Sequence, residues 1–248
     1  MAELDDPVRD LRERIAAASR VCVLTGAGMS AESGIATFRD ALTGLWSRFD
    51  PAQLASEEGF RADPQLVWDW YAERREGVRA AQPNAGHRAL GDFARRRPGV
   101  LTVVSQNVDD LHQRAGNGDT IRLHGDILAD RWLEPCRRGR ACDPAAAGAG
   151  RPPRCAECGN LVRPGVVWFG EMLPPGAIEA AERAARAAEV MLVVGTSGAV
   201  WPAAGLAATA WRGGARVAIV NPHDSEIDGE AHVVLRGTAA QLLPRLFG

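Results

Sequence analysis

Residues 20–40 read RVCVLTGAGMSAESGIATFRD, and the fold is decided where the apolar run gives way to glycine. Val21, Cys22, Val23 and Leu24 are too few for a free-standing helix; their length and character suit a strand buried on both faces of a parallel sheet. Gly26, Gly28 and Ala31 follow at the spacing of a dinucleotide-binding turn. In such a turn glycine permits a tight bend and close approach of a pyrophosphate, and amides of the following helix point at the anion. An ordinary glycine-bearing strand-to-helix turn looks the same locally. A regular mononucleotide unit, however, returns to a second strand within about thirty residues. Here residues 41–60 are polar and tryptophan-bearing, and no strand-like run precedes Val100. The loop is therefore joined to a long insertion able to fold over a bound nucleotide.

With 248 residues, 46% hydrophobic and 24% charged, the chain can bury a large core, and one large domain with a smaller annex is expected. A formal charge of -2 gives no basic footprint, so nucleic acid is not an expected partner. No apolar segment approaches membrane-spanning length, and the start, MAELDDPVRD, carries acids where a secretory signal carries bases. A cytoplasmic location and no membrane partner follow as expectations. Cys22 sits in the first strand, whereas Cys136, Cys142, Cys155 and Cys158 crowd into one stretch, which in a reducing compartment favours metal over disulfides.

Asp6-Pro7 and Asp63-Pro64 each read as a cap followed by a first helical residue, and a further helix begins near Asn84. On the second of these helices Tyr71 and Arg74 share one face, either as an apolar edge beside a solvated charge or as a pair. Residues 100–104, 121–123, 190–194, 216–220 and 233–235 read as strands, with helices over 178–188 and 239–246. Polar residues cluster just past several strand ends: Gln106, Asn107 and Asp109, then His124-Gly125, then Gly195, Thr196 and Ser197, then Asn221. Open α/β sheets bind ligands at that place, although plain helix caps would use the same residue types. Residues 126–164 lack periodicity and apolar content, so a structural zinc is expected to hold this annex together; Cys155 and Cys158 are a good ligand pair, while Cys136 and Cys142 are more widely spaced. Residues 165–171, GVVWFGE, form an apolar run that is either a strand edge open to another chain or an interior strand. Recurring strand, turn and helix units give an α/β fold, a Rossmann-like parallel sheet with helices on both faces, plus a small cysteine-rich annex.

Four stretches in order, GAGMSAESGIATFRD, QNVDDLH, His124-Gly125 and GTSGAVWPAAG, together with GVVWFGE and Asn221, resemble the sirtuins, the NAD-dependent protein lysine deacylases. The resemblance runs over nearly the whole chain. It implies a Rossmann-like NAD-binding domain over residues 1–40, 76–126 and 166–248, and a small domain, helical flap plus zinc module, over 41–75 and 127–165. It also implies that NAD is consumed as a co-substrate. Gly26, Ala27, Gly28 and Ser30 would hold the diphosphate, and Phe38 and Arg39 would cover the nicotinamide end. Gln106, Asn107 and Asp109 would line the ribose and nicotinamide pocket; Gly195, Thr196, Ser197, Asn221 and Ala239 would hold the adenosine half.

By the same resemblance the catalytic residues are His124, Asn107 and Asp109. His124 as neutral general base would take a proton from a ribose hydroxyl, so activity should fall as the imidazole becomes protonated. Val167, Phe169, Gly170 and Glu171 would hold the acylated lysine of a protein substrate, its backbone bound as an added strand. Tyr71-Ala-Glu-Arg74, followed by Pro83-Asn84-Ala85, is similar to the pattern of sirtuins that remove succinyl and malonyl groups, where a guanidinium fork meets the distal carboxylate. Acetyl-lysine would also be accepted. The annex departs from the family: Trp132 stands at its first cysteine position, so either Cys142 substitutes as a ligand or the site is incomplete and metal-free. Mono-ADP-ribosyl transfer to protein and a non-catalytic NAD-binding module are the alternative functions.

Overall fold

The computed structural model describes residues 6–35, 50–135, 143–144 and 147–248. Along the chain these form α1 (Pro7–Ala17), β1 (Val21–Thr25), α2 (Pro51–Leu54), α3 (Glu57–Ala62), α4 (Pro64–Ala80), α5 (Ala85–Arg96), β2 (Leu101–Ser105), α6 (Leu111–Arg114), β3 (Ile121–Arg122), β4 (Gly125–Trp132) and β5 (Val162–Val166). The chain continues with α7 (Pro175–Ala187), β6 (Val190–Val194), α8 (Gly205–Arg212), β7 (Arg216–Val220), β8 (Val233–Leu235) and α9 (Ala239–Phe247). The described residues within 1–37, 81–123 and 173–248 make one compact unit, and those within 38–80 and 124–172 another. Among them no helix is long and apolar enough to cross a membrane.

The first unit is built on a six-stranded sheet of order β3-β2-β1-β6-β7-β8, every neighbouring pair parallel. Successive side chains of a strand face opposite sides. Val21 and Val23 accordingly pack with Leu11 and Ile15 of α1, Leu90 and Phe93 of α5 and Leu243 of α9, while Cys22 and Leu24 pack with Ala181 and Ala185 of α7 and Ala207 and Ala210 of α8. Alanines on α7 and α8 let those helices approach the sheet closely. Both faces are thus covered, which is why the strands read as continuous apolar runs. The helix starts are capped as their sequences suggest. The Asp6 carboxylate accepts from Val8 N–H at 3.0 Å, and Asn84 Oδ1 accepts from the N–H groups of Gly86 and His87.

The second unit carries α2–α4 and the antiparallel pair β4 and β5, whose register shifts between Asp126 and Asp130. Strand β4 was not expected: its charged, bulged text, GDILADRW, has no clean alternation to read. The run at 165–171 also differs from a single strand. Strand β5 ends at Val166, and residues 168–171 close a tight turn in which Glu171 N–H donates to Trp168 O at 3.0 Å and Gly170 takes φ of 84°. The left-handed glycine ends the extended run.

Candidate nucleotide and acyl-group site

The registers align the carboxyl ends of the strands: Thr25 lies opposite both Ser105 and Val194, and Val220 opposite Val194 and Leu235. From β1 the chain passes to β2 on one side and later to β6 on the other, so β1 and β6 flank the topological switch point, where open α/β sheets bind their ligands. The two glycine-bearing turns meet there. Gly26 N–H donates to Val194 O at 2.9 Å and Gly28 N–H to Gly195 O at 2.8 Å. A Cβ on Gly28 would lie 2.7 Å from Gly195 Cα, and one on Gly26 2.7 Å from Thr196 Cβ. Glycine is therefore required by the packing of one turn on the other, beyond any approach of a ligand. The helix expected directly after this loop is replaced by two single 3-10 turns, Ala27–Met29 and Ala31–Ser33, the second ending at Gly34 with φ of 81°.

A polar network occupies this edge. Buried Ser30 donates through its hydroxyl to Asp109 Oδ2 at 2.9 Å and accepts from Asn107 Nδ2 at 3.1 Å. The other Asp109 oxygen accepts from Leu111 N–H at 3.0 Å. Burial pushes the Asp109 carboxyl up from its ordinary value, against the pull of the Leu111 and Ser30 hydrogen bonds. Gln106 Nε2 donates to Thr196 Oγ1 at 3.3 Å, and Asn221 Nδ2 donates to Thr196 O at 2.9 Å. Ser197 is exposed beside them. Ala239, buried, opens α9, and the next N–H, on Ala240, donates to Glu32 Oε2 at 3.0 Å. Gly26, Ala27, Gly28, Ser30, Gln106, Asn107, Asp109, Gly195, Thr196, Ser197 and Asn221 thus share one edge of the sheet.

Sequence reading missed the layer beneath. Thr25 Oγ1 lies 3.0 Å from His112 Nε2 and donates to Ser105 Oγ at 3.1 Å, and the His112 ring meets His87 edge-on with centroids 4.8 Å apart. Asn84, read from sequence as a helix start and as part of Pro83-Asn84-Ala85, also donates to Met29 O at 2.8 Å and Ser33 Oγ at 3.1 Å, pinning the loop that follows β1.

In the second unit Tyr71 and Arg74 face the same side of α4. The Arg74 guanidinium carbon lies 4.7 Å from the Trp70 ring centroid and 5.9 Å from that of Tyr71, and buried Tyr71 accepts from Trp168 Nε1 at 3.1 Å. Burial raises the Tyr71 phenol above its ordinary value, so it stays protonated. His124 follows β3 by two residues in the chain; it is half-buried, and its carbonyl accepts from Val167 N–H at 2.9 Å. Phe169 and Gly170 are exposed, with Phe169 N–H donating to Ala55 O at 2.9 Å, while the Glu171 carboxylate is bound by Arg163 and Arg131. Arg75 of α4 is buried and donates to Ile127 O, Ala129 O and Asp130, which fixes the bulge of β4.

Cys155 and Cys158 flank a tight turn in which Gly159 N–H donates to Cys155 O at 2.9 Å and Cys155 N–H to Asn160 O at 2.8 Å. Such a turn fits two thiolates of one tetrahedral ion. Cys136, Cys142, Phe38 and Arg39 lie outside the described residues. Among the described residues no three His, Cys, Asp or Glu side chains are grouped as metal ligands.

A protein of Ralstonia nicotianae named "NAD-dependent protein deacylase" is 54% identical over 235 residues, covering 95% of this chain and 94% of its own. One of Methylococcus capsulatus with the same name is 49% identical over 247 residues, covering 98% and 95%. A solved structure described as a Sir2 homolog–NAD complex superposes with a TM-score of 0.84 at 40% identity, covering 96% of this chain and 92% of that one. The model of the Sir2 family matches residues 26–202, a span that begins at the first glycine of the β1 turn and runs past the paired turn after β6. With that match and those identities, the chain belongs to the Sir2 family.

Proposed function

We propose that this chain is an NAD-dependent protein-lysine deacylase with a preference for acidic acyl groups, succinyl and malonyl, over acetyl. The activity is read from the family and from the network at the β1–β6 switch point. There Gly26, Ala27, Gly28 and Ser30 would receive the diphosphate, Gln106, Asn107 and Asp109 the ribose and nicotinamide, and Gly195, Thr196, Ser197, Asn221 and Ala239 the adenosine half. Phe38 and Arg39 would close over the nicotinamide end.

NAD as co-substrate supplies the ribose carbon that accepts the acyl oxygen as nicotinamide leaves. The protein's own residues orient and transfer protons. Asn107 and Asp109, held through Ser30, would fix the ribose, and His124 would remove a proton from a ribose hydroxyl so that its oxygen can attack the acyl carbon. One acyl-lysine, one NAD and one water give lysine, nicotinamide and O-acyl-ADP-ribose. Val167, Phe169, Gly170 and Glu171 would present the substrate lysine, with the substrate backbone as an added strand.

The observation that carries the acyl preference is the stacking of Arg74 on Trp70 beside the buried hydroxyl-bearing Tyr71. A guanidinium presents a planar fork that matches a carboxylate, which an acetyl group lacks. Mass analysis of acetyl-, succinyl- and malonyl-lysine peptides incubated with NAD tests the reading: loss of the acyl mass with nicotinamide release is expected, fastest for the acidic groups. Arg74→Met should cut succinyl removal far more than acetyl removal; equal losses would refute the assigned pocket. A structural zinc on Cys136, Cys142, Cys155 and Cys158 completes the reading, supported by the Cys155–Cys158 turn.

A further inference from the structure

Below the proposed acyl pocket the second unit buries an arginine. The Arg163 side chain is 1% exposed, and arginine is almost never found so deep without a partner. Its two terminal nitrogens grip the Glu171 carboxylate, one on each oxygen, and Nη2 also donates to Val166 O at 2.9 Å. Glu171 receives in addition Arg131 Nη2, at 2.7 and 2.8 Å, and Trp168 N–H at 2.8 Å. Burial pushes this carboxyl up, but those donors outweigh it and hold it below its ordinary range, so it is ionised at neutral pH.

Trp168 is the element this ion pair holds. Its backbone N–H is bound by Glu171, and its ring lies against the Arg163 guanidinium with the carbon 3.2 Å from the centroid. Phe60 packs on it at 5.2 Å between centroids. With the ring fixed on these sides, its indole N–H is aimed at Tyr71 Oη. A phenol oxygen that accepts from an indole directs its own proton elsewhere. That proton is then available to a carboxylate entering beside Arg74.

We propose that Arg163 and Glu171 are positioning residues that determine acyl specificity: through Trp168 their ion pair sets the direction of the Tyr71 hydroxyl, presetting the pocket for an acidic acyl group. The Glu171 carboxylate then braces its own turn, and Glu171 meets the substrate strand through its backbone. The inference rests on the acyl preference proposed above. A buried charged pair is costly to desolvate, and an apolar pair could fill the same volume; what an apolar pair could not do is fix an indole by its face and its backbone at once.

The test uses the full chain with NAD and succinyl- and acetyl-lysine forms of one peptide, comparing wild type, Glu171→Gln and Trp168→Phe. The second variant keeps the ion pair and removes the indole donor together with one of the two fused rings, so it stands should Glu171→Gln fail to fold. The succinyl-to-acetyl ratio of kcat/KM should fall about tenfold in each, through a raised KM for the succinyl peptide, as expected for one misdirected hydrogen bond to a charged group. Tyr71 is the sole tyrosine of the chain, so protein carrying ¹³Cζ-tyrosine gives one resonance. That resonance should broaden as well as shift in folded Glu171→Gln, because loss of the Glu171 charge near Tyr71 would by itself shift it without broadening it. A parallel fall for both peptides with a resonance that does not broaden overturns the proposal. A wild-type enzyme inert toward succinyl-lysine, with a resonance that broadens in Glu171→Gln, overturns the acyl preference and supports the positioning of Tyr71.

Discussion

Acidification from pH 7 to pH 5 is expected to remove much of the stability of the first unit, through two histidines that the proposed chemistry does not use. His87 and His112 are 0% and 2% exposed. His87 Nδ1 accepts from Asn84 N–H, His112 Nε2 faces Thr25, and the opposite ring nitrogens, His87 Nε2 and His112 Nδ1, have no hydrogen-bond partner among the described residues. Burial drives both imidazoles down, to about 3 for His87 and about 4 for His112; His112, Arg88 and Arg114 add to the effect at His87, and Arg122 at His112. The unfolded chain takes up these protons near pH 6.5 and the folded chain does not, so the stabilisation is complete above that value and is lost as pH falls below it. Between pH 7 and pH 5 linkage gives a loss of ~1.8 kcal/mol per histidine, ~3.6 kcal/mol for the pair, against a total stability on the order of 5–15 kcal/mol for a domain. Asp109, raised by burial, works in the opposite sense but only as pH nears the carboxylate range. Urea unfolding at pH 7, 6 and 5, followed by circular dichroism, measures the slope. His87→Phe retains a ring against His112 and should halve it. A flat wild-type profile over this range, or an undiminished slope in the variant, would refute the reasoning.

Gly195→Ala should weaken NAD binding at least tenfold and destabilise by ~1–3 kcal/mol, because residue 195 has φ of 61° and a Cβ there would lie 2.5 Å from Met29 N; calorimetric titration with NAD and a thermal melt read both effects. Arg75→Met strands the buried carbonyl of Ile127 and leaves exposed Ala129 and Asp130 to water, a loss of ~1–3 kcal/mol that hydrogen exchange should locate in β4. Elemental analysis should find about one zinc per chain, and a chelator should lower the melting temperature. Protein that melts identically with and without chelator, and carries no metal, removes the zinc.

The fold was readable because its strands are short, continuous apolar runs, each followed by turn residues, and a parallel sheet buried on both faces demands that pattern. β1, β2, β6 and β7 all conform. β4 escaped because a bulged strand of a two-stranded ribbon needs neither alternation nor apolar content. The edge residues of the site were legible for the same reason as the strands: Gly26, Asn107, Gly195 and Asn221 sit directly beyond runs whose ends were already marked. His112, Arg75 and Arg163 were not, since a histidine or arginine on a helix or strand looks alike whether it is solvated or buried against partners far along the chain.

By itself the sequence determined which segments are strands of the parallel sheet, where each one ends, and that polar, glycine-bearing turns follow those ends, because these follow from side-chain periodicity and backbone freedom over a few residues. Only the tertiary structure decided that the turns of β1 and β6 pack glycine on glycine at the switch point, and that Arg163 lies beneath Trp168. Those depend on which strands become neighbours and which charges lose their water, and local spacing does not encode either.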